Sequence, residues 1–365
     1  MSATEQMDPA RAEVARVMSI CNACRYCEGH CAVFPAMERR LDFAAADVDY
    51  LANLCHNCGA CYHHCQYADP HEFDVNVPKA MAAVRTETYA DFAWPSLFKP
   101  AFRRGGAVAA AALAVGCTAF LVGLSALSAG YGAAHANAFY GVMPHDAMAG
   151  VFGIAAIFAF LALAIGVLRC WRSFGLPSPA RSDVMGAIHD AFTLRYLDGG
   201  SGDGCTYPDE RPSQTRRVMH HLTFYGFLAC FAATSVGTVF HYGLSWEAPY
   251  GYLSLPKLLG VPGGVMLTIG TAGLLWLGSK ADERPKDQTA FAMNRAFLIL
   301  LFLTAVTGLG LMVVKTTIWV GPALAIHLGV VMAFFLTAPY GKFVHGFYRI
   351  IALIAHHLER RNGVA

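Results

Sequence analysis

CNACRYCEGHC at residues 21–31 and CHNCGACYHHC at residues 55–65 carry one spacing twice, C-x2-C-x2-C-x3-C, and use eight of the chain's twelve cysteines. Three thiolates from a tight loop and a fourth from elsewhere is how ferredoxin-like segments hold [4Fe–4S] clusters, and in two-cluster ferredoxins the last cysteine of each run serves the other cluster. On that logic Cys21, Cys24, Cys27 and Cys65 form one ligand set, and Cys55, Cys58, Cys61 and Cys31 the second. The crossing staples the runs together, so cluster binding supplies folding energy to a domain with little core of its own. Structural zinc is the competing reading, but zinc sites usually take paired C-x2-C units with four ligands per ion. The proline that ordinarily follows the fourth cysteine is absent, with Ala32 and Gln66 in its place. Between the runs Leu41, Ala44, Ala45, Val48, Leu51 and Ala52 recur at helical spacing. Segment 36–54 is therefore expected to be helical, and the head to be an all-α, two-cluster ferredoxin-like domain. His30, His56, His63, His64 and His71 crowd the same region as spacers or solvated surface, close enough to tune a cluster's potential.

The rest of the chain has a different composition. The 365 residues are 56% hydrophobic and 14% charged, against about 25% charged in a soluble domain, and the deficit falls in residues 105–345. A net charge of +2 gives no electrostatic case for a nucleic-acid partner. Residues 1–16 show no apolar core or cleavage site of a signal peptide. The head is thus expected in the cytoplasm, where metal ligation is a better use of cysteine than disulfides.

A membrane-crossing helix needs roughly 20 apolar residues. Six stretches qualify: Gly105–Gly130, Ala147–Arg169, His220–Tyr242, Val261–Ser279, Ala296–Val314 and Pro322–Pro339, the last continuing as helix toward His345. Lys and Arg are absent from loop 131–146, sparse in loops 243–260 and 315–321, and concentrated in loops 170–219 and 280–295 and in the tail. That alternation obeys the positive-inside rule. It predicts a multi-pass protein embedded in a lipid bilayer, with both termini cytoplasmic. The expected organisation is a cluster domain at 1–95, a linker at 96–104, a six-span membrane domain at 105–350 and a tail at 351–365.

Ionisable side chains within such spans are costly and usually functional, and histidine is a common axial ligand of haem iron. Spans three and six run in opposite directions. His220 or His221 can therefore meet His345 at the cytoplasmic end, and His241 can meet His327 at the external end. At about 100° per residue, the 18 steps from His327 to His345 return to one helix face; His220 lies about 60° and His221 about 160° from the phase of His241. An ideal helix favours His220, and a local bend reverses that choice, so both remain candidates. One haem b or two are compatible with the pattern. Gly226, Ala232, Ala233, Ser235 and Gly237 on span three, and Thr304, Thr307, Gly308 and Gly310 on span five, suit either a flat porphyrin or a neighbouring helix. Lys342 suits a haem propionate, a quinone oxygen or an interfacial anchor. His145, Asp146 and Glu247 near the external face are too generic to assign. The loop DGGSGDGC (198–205) has no preceding strand and no G-x-G-x-x-G, so no flavin or nicotinamide site is read and no catalytic residue is assigned. It can dock the head or a partner. Cys117, Cys170 and Cys230 read as small buried residues.

HHLTFYGFLACFAATSVGTVFHY (220–242), HLGVVMAFFLTAPYGKFVHGFYR (327–349) and RYLDGGSGDGCTYPDERPSQTRR (195–217), joined to the two cysteine runs, resemble the tricarballylate-utilisation protein B / citrate-utilisation protein B family over essentially the whole chain. The membrane half is also similar in pattern to the γ subunit of respiratory nitrate reductase, a bis-histidine cytochrome b. The resemblance implies an oxidoreductase component that reoxidises the FADH2 of a soluble FAD-dependent tricarballylate dehydrogenase. Electrons would pass through two [4Fe–4S] clusters and haem b to membrane quinone. It places the cluster ligands at the eight cysteines above and the haem ligands among His220 or His221, His241, His327 and His345. A self-contained heterodisulfide-reductase-like or other quinone-linked oxidoreductase is the alternative, and the missing nucleotide fingerprint counts against it.

Overall fold

Asp8 starts the first helix, α1 (Pro9–Cys24): its carboxylate accepts the amides of Ala10 and Arg11 at 3.1 Å each, and Pro9 sets the first turn. The helix stops where Arg25 turns left-handed (φ 55°), leaving Cys21 and Cys24 on a helical turn and Cys27 and Cys31 in a loop. The computed structural model describes residues 7–131, 144–200, 202–246 and 250–363, the side chains of 124–131 excepted. Glu247 and most of loop 131–146 lie outside that range.

The head continues through α2 (Val33–Met37), α3 (Ala45–Leu54), α4 (Ala60–His63) and α5 (Val77–Phe92). The helix expected across 36–54 is broken into α2 and α3. Asp47 accepts the Ala44 amide at 3.1 Å and so begins a new helix there, which leaves Leu41 on the connecting turn, 95% exposed. Two tight turns around α6 (Pro100–Arg103) lead to the membrane unit.

Among the described residues six helices are long and apolar enough to cross a membrane: α7 (Gly105–Tyr131), α8 (His145–Ser173), α10 (Thr215–Leu244), α11 (Leu255–Lys280), α12 (Gln288–Val314) and α13 (Val320–Thr337), with α9 (Arg181–Phe192) between α8 and α10. Each contains one of the six expected stretches, apart from the end of the last, and most run on by several residues. Helices α10 and α11 pack along small residues. A Cβ on Gly226 would stand 2.6 Å from the Leu267 amide nitrogen, and one on Gly263 would stand 2.8 Å from the Ala229 Cβ. Helices α7 and α13 meet in the same way at Gly116, Cys117 and Gly329. Gly226 therefore serves helix packing.

The end of the sixth span differs from expectation. Helix α13 stops at Thr337, two 3-10 turns (Ala338–Tyr340 and Lys342–Val344) follow on either side of an extended Gly341, and α14 (His345–Asn362) then turns into the head. The segment expected as a tail is consequently part of the head's core. Ala352, Leu353, Ile354 and Ala355 are buried together with Val14, Met18, Phe34, Leu51 and Met81. Burying a residue such as Leu353 or Ile354 contributes about 1.5–3 kcal/mol, and several such residues of α14 are buried together. Packing therefore holds α14, and pairs such as Arg40–Glu359 at 2.5 Å and His357–Asp190 at 2.9 Å orient it.

Candidate functional site

The eight head cysteines ring two hollows. One, of about 300 Å³, is lined by Cys21, Cys24, Cys27 and Cys65 together with Cys61, and its rim carries the exposed Tyr26, His64 and Gln66. The other is smaller and deeper, lined by Cys31, Cys55, Cys58 and Cys61 with His56 and Asn57. Cys61 thus borders both. Among the described residues no three of His, Cys, Asp or Glu converge on a point that would suit one metal ion. A zinc ion draws thiolates to about 2.3 Å from a single point, whereas an iron–sulfur cube holds its four thiolates apart around its own volume. The thiols lining each hollow are the donors that such a cube takes. All twelve cysteines are free thiols. Burial, then the neighbouring thiols, pushes Cys21 and Cys27 up to about 12 and Cys31 and Cys61 well above the usual thiol range, so metal binding here must release protons.

The glycine-rich loop docks on the head. Its short hairpin, β1 (Cys205–Thr206) with β2 (Pro212–Ser213), lies against the second cysteine run. A Cβ on Gly59, whose φ is +84°, would meet the Thr206 carbonyl oxygen at 2.7 Å, and Gly200 packs on the backbone of Gly29 and His30. Cys205 is buried with Cys58, Ala60 and Leu197. Its Sγ donates to the Leu197 carbonyl oxygen at 3.1 Å, and its nearness to Cys58 is the main cause that lowers the Cys58 thiol.

The histidines of the head take separate places. His30 Nε2 and His64 Nδ1 meet at 2.9 Å across the two runs, His63 lines the first hollow, and His71 packs on Tyr67 and Phe73. His56 is buried, with its Nδ1 2.9 Å from the Leu54 carbonyl oxygen; burial first, then Arg349, keeps this imidazole neutral.

In the membrane unit the structure brings His220 to His345, with ring centroids 6.2 Å apart and planes at 76°. Two imidazoles on one metal, each bonded at about 2.0–2.1 Å with its centroid about 1.1 Å behind the nitrogen, would stand about 6.3 Å apart. The pair therefore leaves between its ring centroids the distance that one metal would need. The His345 Nδ1 proton goes to the Lys342 carbonyl oxygen at 2.6 Å, which fixes the tautomer with Nε2 available to a metal. His220 Nδ1 is buried without a hydrogen-bond partner. His221 turns elsewhere, packing its ring on Tyr225 at 5.8 Å. At the far end His241 stacks on His145, which the sequence left unassigned, at 3.9 Å. That is too close for an iron between them. His327 shares a 2.9 Å hydrogen bond with Thr307 and packs against Gly308. No ring contact joins His241 to His327 among the described residues, so the expected external pair is not assembled.

The second hollow and the head-end imidazoles are physically joined. Arg349, one turn along α14 from His345, donates to the Cys55 carbonyl oxygen at 2.5 Å, and Arg85 of α5 donates to the same oxygen at 2.5 Å. Sequence reading missed both arginines, although each sits within a largely apolar helical stretch, where a cation needs a reason.

A family model described as Citrate utilization protein B matches residues 104–365, and one described as Citrate utilization protein B Fer4-like domain matches residues 14–91. The Citrate utilization protein B of Escherichia coli is 51% identical over 355 residues, covering 96% of this chain and 93% of that protein. No solved structure matches. With Fer4-like cysteine runs on a six-helix membrane unit, and that likeness along nearly its whole length, the chain belongs to the citrate utilisation protein B family.

Proposed function

We propose that this protein carries electrons from the reduced FAD of a soluble tricarballylate dehydrogenase to quinone in the bacterial inner membrane, with its head and both termini in the cytoplasm. When bound, two [4Fe–4S] clusters and one haem b supply the one-electron chemistry. The chain supplies their seats and spacing. Cys21, Cys24, Cys27 and Cys65 would hold the cluster nearer the head surface, and Cys31, Cys55, Cys58 and Cys61 the deeper one. His220 and His345 would hold the haem. The observation that carries the reading is continuity: a hollow with an exposed rim, a second hollow sharing Cys61 with it, and an imidazole pair tied by Arg349 to the backbone of Cys55. The name of the Escherichia coli relative places that protein in citrate utilisation, which supports a tricarboxylate-linked electron donor.

Purified full-length protein tests this. Anaerobic titration with dithionite is expected to bleach broad cluster absorbance and raise a sharp b-type α-band. Addition of a quinone should then reoxidise both. A preparation with full iron content and no haem band would reject the membrane half of the proposal.

A further inference from the structure

Four cations crowd the space between the second cysteine hollow and the head-end imidazoles. Arg216 precedes His220 by four residues on α10, Arg349 follows His345 by four on α14, and Lys342 precedes His345 by three. Arg85 on α5 completes the group and is 4% exposed. Lys342 lies within electrostatic range of Arg85, Arg349 and Arg216, and Arg349 within range of Arg85 and Arg216. Three of the four spend donors on backbone oxygens: Arg85 and Arg349 on Cys55, and Arg216 on Asn57 at 2.5 Å. Lys342 donates no hydrogen bond among the described residues and rests 5.8 Å from the ring centroid of Tyr89.

No Asp or Glu forms an ion pair with any of the four among the described residues; the acidic side chains pair elsewhere. Carbonyl oxygens satisfy guanidinium protons without cancelling their charge. Cys55 lies within range of Lys342 and Arg349, and a cluster held there would offset part of this charge; the remainder, gathered at the edge of a low-dielectric bundle, is costly to leave unanswered. The arrangement calls for an anion, and its placement indicates which one. One helical turn is about 5.4 Å, so Arg216 and Arg349 stand about a turn toward the head from the two imidazoles. A b-type haem has two carboxylates on one edge of its ring, and that edge avoids the apolar interior.

We infer that Arg85, Arg216, Lys342 and Arg349 form a carboxylate seat for the propionate edge of a haem held by His220 and His345. The inference rests on the haem reading above and extends it to the residues that fix the ring's orientation and raise its potential. A cation beside the propionates favours the reduced haem, which carries one more negative charge.

The test is a redox titration of the full-length protein with its cofactors, following haem by absorbance and clusters by EPR in the same samples. Lys342→Met removes a charge and leaves no protein hydrogen bond unmade. It is expected to retain haem and to move the haem's oxidised-to-reduced ratio about tenfold toward oxidised at fixed ambient potential, about 59 mV for one electron. Lys342→Arg is expected to titrate near wild type, which a purely steric role would not predict. Should Lys342→Met fail to fold, Lys342→Gln reports the same loss of charge. Haem titrating as in wild type in the charge-loss variant overturns the seat alone. So does a shift confined to the cluster signals, which would make the cations a counter-charge to the iron–sulfur centre. Wild-type protein without haem overturns the parent reading and the seat with it.

Discussion

The two ends of the membrane bundle are furnished with the same residue, and only one of them builds a pair. At the head end the rings of His220 and His345 lie 6.2 Å apart, and Arg349, one turn from His345, donates to the backbone of the second cysteine run. At the far end His241 closes on His145 at 3.9 Å, and His327 bonds Thr307 within its own helix neighbourhood. His327 shows the tautomer logic of a ligand, since Thr307 also donates to the Leu303 carbonyl oxygen at 2.6 Å and so accepts the imidazole proton. Among the described residues no second imidazole pairs with it. Matching depth in antiparallel helices therefore did not bring His241 and His327 together. For the proposed haem, the rings must also stand at the distance one iron spans, and something must answer the charge of the propionates.

The largest effect that would break this comparison is on haem content. His220→Ala and His345→Ala are each expected to abolish haem binding, measured as pyridine haemochrome per chain, while His241→Ala and His327→Ala retain it. Haem loss of equal size from the far-end variants would show that both ends are ligand pairs. Next in size is iron. Cys31→Ser and Cys65→Ser should each remove about four of eight irons, and EPR should show a different cluster missing in each. Loss of one and the same cluster from both would mean that the runs do not cross. A smaller effect sharpens the far end. Thr307→Val deletes the bond to His327 and is expected to cost about 0.5–1.5 kcal/mol in detergent unfolding without altering the haem spectrum.

The smallest effect concerns how α14, which carries His345, is held. Burial raises the Asp190 carboxyl, but its bonds to His357 and Arg195 outweigh this and hold it below the usual aspartate value. A depressed carboxylate contributes stability above its unfolded value, about 3.9, and that contribution is lost as pH falls through the lower folded value. Thermal unfolding should thus be insensitive to this group from neutral pH to about 5 and weaken below about 4. Asp190→Asn should be less stable near neutrality and show a shallower acid limb. An unchanged acid limb would remove Asp190 as a clamp on α14.

Features legible in the sequence were those set by local chemistry. Cysteine spacing is a constraint on neighbouring residues; Cys65 lines the hollow of the first run and Cys31 that of the second, with Cys61 at both. Apolar length gave six helices. Between His220 and His221 the sequence keeps both open; the structure turns the His220 ring toward His345 and the His221 ring toward Tyr225. Helical phase gave no warrant for His345. Gly341 and two 3-10 turns separate it from His327, and the pair forms through the packing of α14. Residues 351–365 read as a tail, and α14 shows its apolar face only through burial against the head. Leu41 looked like part of a helical stripe until the Asp47 cap restarted the chain. Arg85 and Arg349 owe their meaning to three elements meeting, which no window of sequence contains.

Stopped-flow reduction of haem through the head, compared between wild type and Cys31→Ser, tests the central claim most directly. With a reduced flavoprotein as donor, the account predicts that wild-type haem is reduced in step with the clusters. In Cys31→Ser the haem should remain bound yet be reduced many-fold more slowly. Equal rates in the two proteins would contradict a path from the thiolate hollows to the His220–His345 pair.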